Sequence, residues 1–157
     1  MSQGMFHAEF RPNASSSRGT RMTAAESTRG PVSVHIGPGD RQMQPPDYPG
    51  TSVELIVSGA TDGADMYGGI VTLEPGVTIT LHYHSQFEFQ YVVSGSGVAL
   101  DSLGGETPIA PGGAVLSPAH ADGAHGFRAS EHEQLKILFL YPTPGGHPPD
   151  RFEVTAG

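Results

Sequence analysis

The sequence predicts one all-β domain, a sandwich or barrel of short strands with few or no helices. Three observations lead there. Short runs rich in Val, Ile, Thr, Phe and Tyr recur along the chain, 22 Gly and 14 Pro punctuate them without a regular period, and no segment is periodic over a length that would make a major helix. At 157 residues the chain suits a single domain able to bury a core without disulfide or metal staples.

Taken in order, residues 1–30 are polar around the stretch NASSSRGTRMTAAESTRG and too poor in large apolar side chains to offset their own ordering entropy. They predict a flexible amino-terminal arm, with Phe6 and Phe10 as its apolar points of attachment. From Pro31 the chain alternates strands and turns. PVSVHI is the first expected strand, followed by a Gly- and Pro-rich loop from Gly37 to Gly50 and by the strand TSVELIVSG. ATDGADMYGG is a turn-rich connection. IVTLEPG, TITLHYH, EFQYVVSG and GVALDSLGG then follow at near-regular spacing, and PIAPGGAVLSP and HGFRA continue the series. QLKILFLYP is an almost continuous apolar run, consistent with burial on both faces. The domain so defined covers residues 31–142, and residues 143–157 form a Pro-rich carboxy-terminal tail expected to run along the surface.

Composition narrows the function. There is no cysteine, which removes disulfide frameworks, thiolate nucleophiles and cysteine-based metal centres, so any metal must be held by His and carboxylate. A formal charge of -8 argues against nucleic acid and against an anionic membrane. No run of some 18 apolar residues and no signal-peptide core is present, so a cytoplasmic protein is expected.

The most specific feature is Gly76 to Gly95, GVTITLHYHSQFEFQYVVSG. Side chains alternate along a strand, so His82 and His84 share a face with Cα atoms about 6.6 Å apart, and Tyr83 faces the other way. Two imidazoles can therefore converge on one ion. Ser85, Gln86 and Phe87 let the chain turn, and Glu88 returns from the next strand with an oxygen donor for the same cavity. Of the arginines in the body, Arg41 and Arg128 are the candidates to pair with a buried Glu88, and a metal is the cheaper partner for such a charge.

A Gly, five residues, His-x-His, three residues, Glu, six residues and Gly is the first motif of the cupins, and every spacing is met. The chain therefore resembles a cupin over roughly Ser52 to Pro142, which implies a jelly-roll-like β-barrel of two antiparallel sheets and a homodimer. Cupins close the site from a second motif of Gly, five residues, Pro-x-Gly, two residues and His. Gly112 and Pro118 fit it, but His120 stands in place of the Gly, and His125 comes two residues late. His125-Gly126-Phe127-Arg128 is similar to the start of the family's closing strand. His125 is accordingly the expected fourth ligand, with Ala121-Asp122-Gly123 as a lengthened turn. The alternative is His120, whose loop would then enter the cavity.

His7, His35, His132 and His147 sit in an arm, a strand edge, a charged turn and a tail, where solvated side chains are the expectation. Ser117, His120 and Asp122 are crowded into one turn with no nucleophile elbow, which disfavours a hydrolytic triad. Three imidazoles and one carboxylate leave one divalent Fe, Mn, Ni, Cu or Zn ion with two open positions in an octahedral shell, a site for an anionic oxygen ligand. Glu88 can also serve as general base. Strand alternation adds Gln90 and Val92 to the inward face of Glu88, and Phe127 to that of His125, making Gln90 and Phe127 the expected substrate contacts. Phe139 or Leu140 lines the pocket, without parity deciding which.

The resemblance, loosest at the level of oxygenase-type and polyketide-cyclase-type members, implies a metal-dependent enzyme acting on a small organic substrate. O2-dependent oxidation of the dioxygenase type is the favoured chemistry. A non-redox cyclase or isomerase using the metal as Lewis acid comes next, and a non-catalytic ligand-binding or sensory cupin is the third reading.

Overall fold

The computed structural model describes residues 33–154, and the arm expected over residues 1–30 lies outside the described residues. Their regular structure is almost all strand: β1 Gln42–Gln44, β2 Thr51–Val57, β3 Tyr67–Leu73, β4 Thr78–Tyr83, β5 Glu88–Ser94, β6 Gly97–Asp101, β7 Glu106–Ile109, β8 Ala114–Ser117, β9 His125–Ala129, β10 Leu135–Tyr141 and β11 Phe152–Glu153. The helical segments are three single 3-10 turns, Pro38–Asp40, Ala121–Gly123 and Pro144–Gly146. Among the described residues no helix is long and apolar enough to cross a membrane.

Two antiparallel sheets result, one in the order β1-β2-β3-β10-β5-β8 and the other in the order β11-β4-β9-β6-β7. The expected barrel differs in one respect, for no hydrogen-bonded ladder joins the two sheets into a closed cylinder. Their edges explain this. The edge strands are two to four residues long, and Pro108 in β7 lacks an N–H to extend the ladder outward.

PVSVHI was expected to be a strand, yet Ser33–Ile36 carry none, and the first strand forms instead within the expected loop. Gln42–Gln44 pair with Val53–Leu55, so an available neighbouring edge outweighs β-branched composition. The connection Gly95-Ser96 is no hairpin turn, because it carries the chain from β5 of the six-stranded sheet to β6 of the five-stranded one, and Gly95 has φ 78°, a left-handed conformation open to glycine at no steric cost. QLKILFLYP differs from its expectation: Leu135, Ile137, Phe139 and Tyr141 are buried while the residues between them are half-buried, the pattern of one fully covered face. Ile137 and Leu135 join Leu73, Ile79, Val92, Phe127 and Ala129 in the main core between the sheets.

β4 contains a bulge that matters for the site. Ile79 pairs with Phe127 and His82 with His125, so three steps on β4 face two on β9. The extra residue turns both Ile79 and His82 inward, which strict alternation would forbid. Gly126 sits opposite, buried, where an added Cβ would lie 2.6 Å from the Ile79 carbonyl oxygen.

Gly126→Ala is expected to destabilise the protein by about 1–3 kcal/mol, because the methyl meets backbone rather than a movable side chain. Urea unfolding reads this as a lower midpoint with an unchanged slope. An unaltered midpoint would show that the bulge gives way freely.

Candidate metal centre

The structure brings His82, His84, Glu88 and His125 together, all buried, with one potential ligand atom from each lying within 4.8 Å of the others. His82 ends the inward face of β4, His84 lies just past it, and His125 opens β9, so the three imidazoles come from the five-stranded sheet side. Glu88 opens β5 in the facing six-stranded sheet. Ring centroids are 5.0 Å apart for His82 and His84, 4.5 Å for His82 and His125, and 5.8 Å for His84 and His125.

Backbone carbonyls fix the tautomer of every ring. His82 Nδ1 donates to Thr80 O at 2.9 Å, His84 Nδ1 to Asp150 O at 2.7 Å, and His125 Nδ1 to Gly123 O at 2.9 Å. A carbonyl can only accept, so each proton resides on Nδ1 and each neutral ring presents a bare Nε2 lone pair to the others. The bulge itself supplies the Thr80 carbonyl. Burial first, then Arg151 and His125, push the His82 pKa down to about 3, and burial likewise lowers that of His84 despite the nearby Glu88.

The residues fit a metal on the strength of one unsatisfied contact. Glu88 Oε2 is buried with no hydrogen-bond donor, and His125 Nε2 stands 2.7 Å from it. Two lone pairs at that separation repel unless a proton or a metal ion lies between them, and a metal ion would serve the Nε2 atoms of His82 and His84 as well. Arginine does not answer this need, because Arg41 pairs with Glu54 at 3.0 Å, Arg128 with Glu106 at 2.6 Å and Arg151 with Glu153 at 2.9 Å. The four side chains are thus able to hold one metal ion.

His120 is outside the cluster. It is exposed, holds φ 68°, and contributes its backbone N–H to the His84 carbonyl at 2.7 Å while the turn Ala121–Gly123 carries the chain on to His125. His35, His132 and His147 are exposed, and His7 lies outside the described residues. Ser117 is buried against Gln90, its Oγ 3.3 Å from the Gln90 amide nitrogen, while Asp122 is exposed, so no triad forms.

Beside the four residues lies a cavity of about 340 Å³ between the sheets, lined by Gln90, Phe127 and Phe139 among others. Leu140 faces away from it. Two contributions escaped sequence reasoning. Tyr141 places its hydroxyl 3.0 Å from His84 Nε2, and burial, reinforced by the charge of Glu88, holds its pKa well above 10. The other is the tail, whose β11 pairs with β4 and whose Pro148, Pro149 and Arg151 line the cavity. Alternation along LKILFLY offered a signal for Tyr141, two residues beyond Phe139, whereas the Pro-rich tail offered none.

The cupin-domain family model matches residues 69–141. No curated protein sequence matches the chain. Among solved structures, the polyketide cyclase RemF from Streptomyces resistomycificus is similar at a TM-score of 0.66 and 21% identity, over 80% of this chain and 88% of that one. A sugar phosphate isomerase from the cupin superfamily of Silicibacter pomeroyi reaches 0.63 and 24%, over 78% and 83%. A mutant of Bacillus subtilis oxalate decarboxylase OxdC reaches 0.61 and 21%, over 82% of this chain and 34% of that one. At such identities the likeness is one of fold, and the three proteins differ in chemistry: a cyclase, an isomerase and a decarboxylase.

The depressed His82 pKa sets a pH dependence. In chelator-treated protein the unfolded state takes up the His82 proton near pH 6.5 and the folded state near pH 3, so stability falls as pH drops through that window and is intact above it. Melting temperatures measured from pH 8 to pH 4 are expected to decline less steeply for His82→Gln. Deleting residues 148–157 removes the carbonyl that holds His84, and metal affinity, read by competition with a chelating dye, is expected to weaken about 10–100-fold.

Proposed function

We propose that the chain, whose residues 69–141 match the cupin-domain model, is a mononuclear metal-dependent enzyme acting on a small organic substrate, its ion held by His82, His84, Glu88 and His125. One observation carries this reading: three imidazoles pinned through Nδ1 turn their Nε2 atoms toward a buried carboxyl whose Oε2 has no hydrogen-bond donor. A divalent ion there supplies Lewis-acid polarisation of a substrate oxygen and, as Fe, Mn, Ni or Cu, access to O2 chemistry.

The protein's own groups supply the rest. Glu88 accepts a proton as general base, and Tyr141, kept protonated by burial, is the neighbouring donor. Gln90, steadied by Ser117, offers its amide to substrate, and Phe127 forms a flat wall. A base and an acid beside one site suit proton removal next to a carbonyl and its return elsewhere, the core of a cyclisation or isomerisation. We therefore put the non-redox reading first. Dioxygenase-type oxidation is the second, supported by the apolar walls of Ile79, Ile137 and Phe139, which suit dissolved O2 and exclude water.

Metal content of protein purified without chelator or metal resin is expected near one ion per chain and to collapse in His82→Ala and His84→Ala. Under argon, enolisable aromatic acids in D2O should exchange their acidic C–H, and Glu88→Gln should slow that exchange about 10²–10⁴-fold. Substrate-dependent O2 uptake without anaerobic turnover would make oxidation the activity. Absence of metal after reconstitution with each of the five ions would leave a non-catalytic binding module.

A further inference from the structure

Among the described residues, Arg151 is the only Arg or Lys lining the cavity. It is a held group rather than a waving one. Its Nε donates to Glu153 at 2.9 Å, an Nη donates to the Tyr48 hydroxyl, and the guanidinium lies over the Tyr48 ring, 5.0 Å from its centroid. Glu153 is itself fixed by Tyr48 at 2.7 Å and Thr80 at 3.0 Å.

The charges are not symmetrically placed. Glu153 is about half exposed and absent from the cavity lining, whereas the Arg151 side chain is 26% exposed and belongs to that lining. The counter-ion therefore sits on the solvent side of the guanidinium. Two of its five N–H donors are engaged by Glu153 and Tyr48, and the fork has donors left for a planar two-oxygen acceptor. Among the described residues no lysine or second arginine joins it, and Asp47 stands exposed at the cavity rim, so one negative charge is matched and a phosphate dianion is not.

We propose that Arg151 is the carboxylate anchor of the cavity, which takes an organic acid whose acid group pairs with the guanidinium while its unsaturated body lies along Tyr67, Phe127 and Phe139. This rests on the substrate site proposed above and narrows its substrate to carboxylic acids with a flat, conjugated framework. Aromatic faces suit such a body, and a charge-assisted fork orients it. The carboxylate end is thereby held at the tail, leaving the remainder to meet Glu88 and Tyr141.

The test uses 2-naphthoate and its uncharged isostere 2-naphthamide, titrated calorimetrically into metal-loaded and metal-free full-length protein. Naphthoate is expected to bind in both forms, on the order of tenfold more weakly to Arg151→Gln, while naphthamide binds weakly and indifferently to the substitution. Glu153→Gln keeps the guanidinium and removes its outer counter-ion, so naphthoate should bind several-fold more tightly, a gain that damage to the tail cannot imitate. Equal binding of acid and amide, or naphthoate binding that needs the metal and ignores both substitutions, would overturn the anchor and leave the metal reading intact. Arg151-dependent binding in a protein that takes up no metal would keep the anchor and sink the metal reading.

Discussion

The centre of the molecule is organised by an electrostatic demand: a buried carboxyl oxygen on one sheet, with no hydrogen-bond donor, faces three imidazoles on the other whose Nδ1 atoms are already engaged by carbonyls. Glu88 and His125 approach to 2.7 Å, and the Gly123 carbonyl already claims the one proton a neutral His125 possesses. Lone pairs are not neighbours at that distance without a proton or a metal ion between them, and Arg41, Arg128 and Arg151 pair with Glu54, Glu106 and Glu153 instead. An ion shared by the four side chains would thus also tie β4 and β9 to β5, joining two sheets that no backbone ladder joins.

The surroundings are built to keep that demand in place. The bulge in β4 brings Ile79 and His82 to the same face, so one residue closes the hydrophobic core and the other opens the polar centre. Its Thr80 carbonyl fixes His82, while the Thr80 hydroxyl reaches out to Glu153. Although burial pushes the Glu153 carboxyl up, hydrogen bonds from Tyr48 and Arg151 bring it down to about 2, so the rim of the cavity keeps its charges. Core, centre and rim meet within one turn of strand.

What the sequence made legible was local. His82, His84 and Glu88 follow from alternation and one short turn, and need no knowledge of distant pairing. His125 required likeness to a family pattern, because its place beside His82 is set by a ladder between residues 43 positions apart. Tyr141, Asp150, Arg151 and Tyr48 were beyond reach for the same reason: each acts through a contact spanning dozens of residues, and three of them stand in Pro-rich stretches that carry no periodicity. PVSVHI shows the converse, a run with strand composition and no edge to join. The open seam between the sheets was likewise invisible, since it depends on how short the edge strands are rather than on what they contain.

One of those long contacts has a consequence for biosynthesis. The residue whose carbonyl orients His84 lies 66 positions further along the chain. During translation at about 5–20 residues per second, the His-x-His pair emerges seconds before the carbonyl that sets one of its rings. For that interval the nascent chain displays two histidines and a glutamate of which one imidazole is free to rotate and to hold its proton on either nitrogen. Tight capture of any ion by these four side chains would therefore have to wait until the ribosome has passed residue 150, which would make metal acquisition a late event in the life of each molecule.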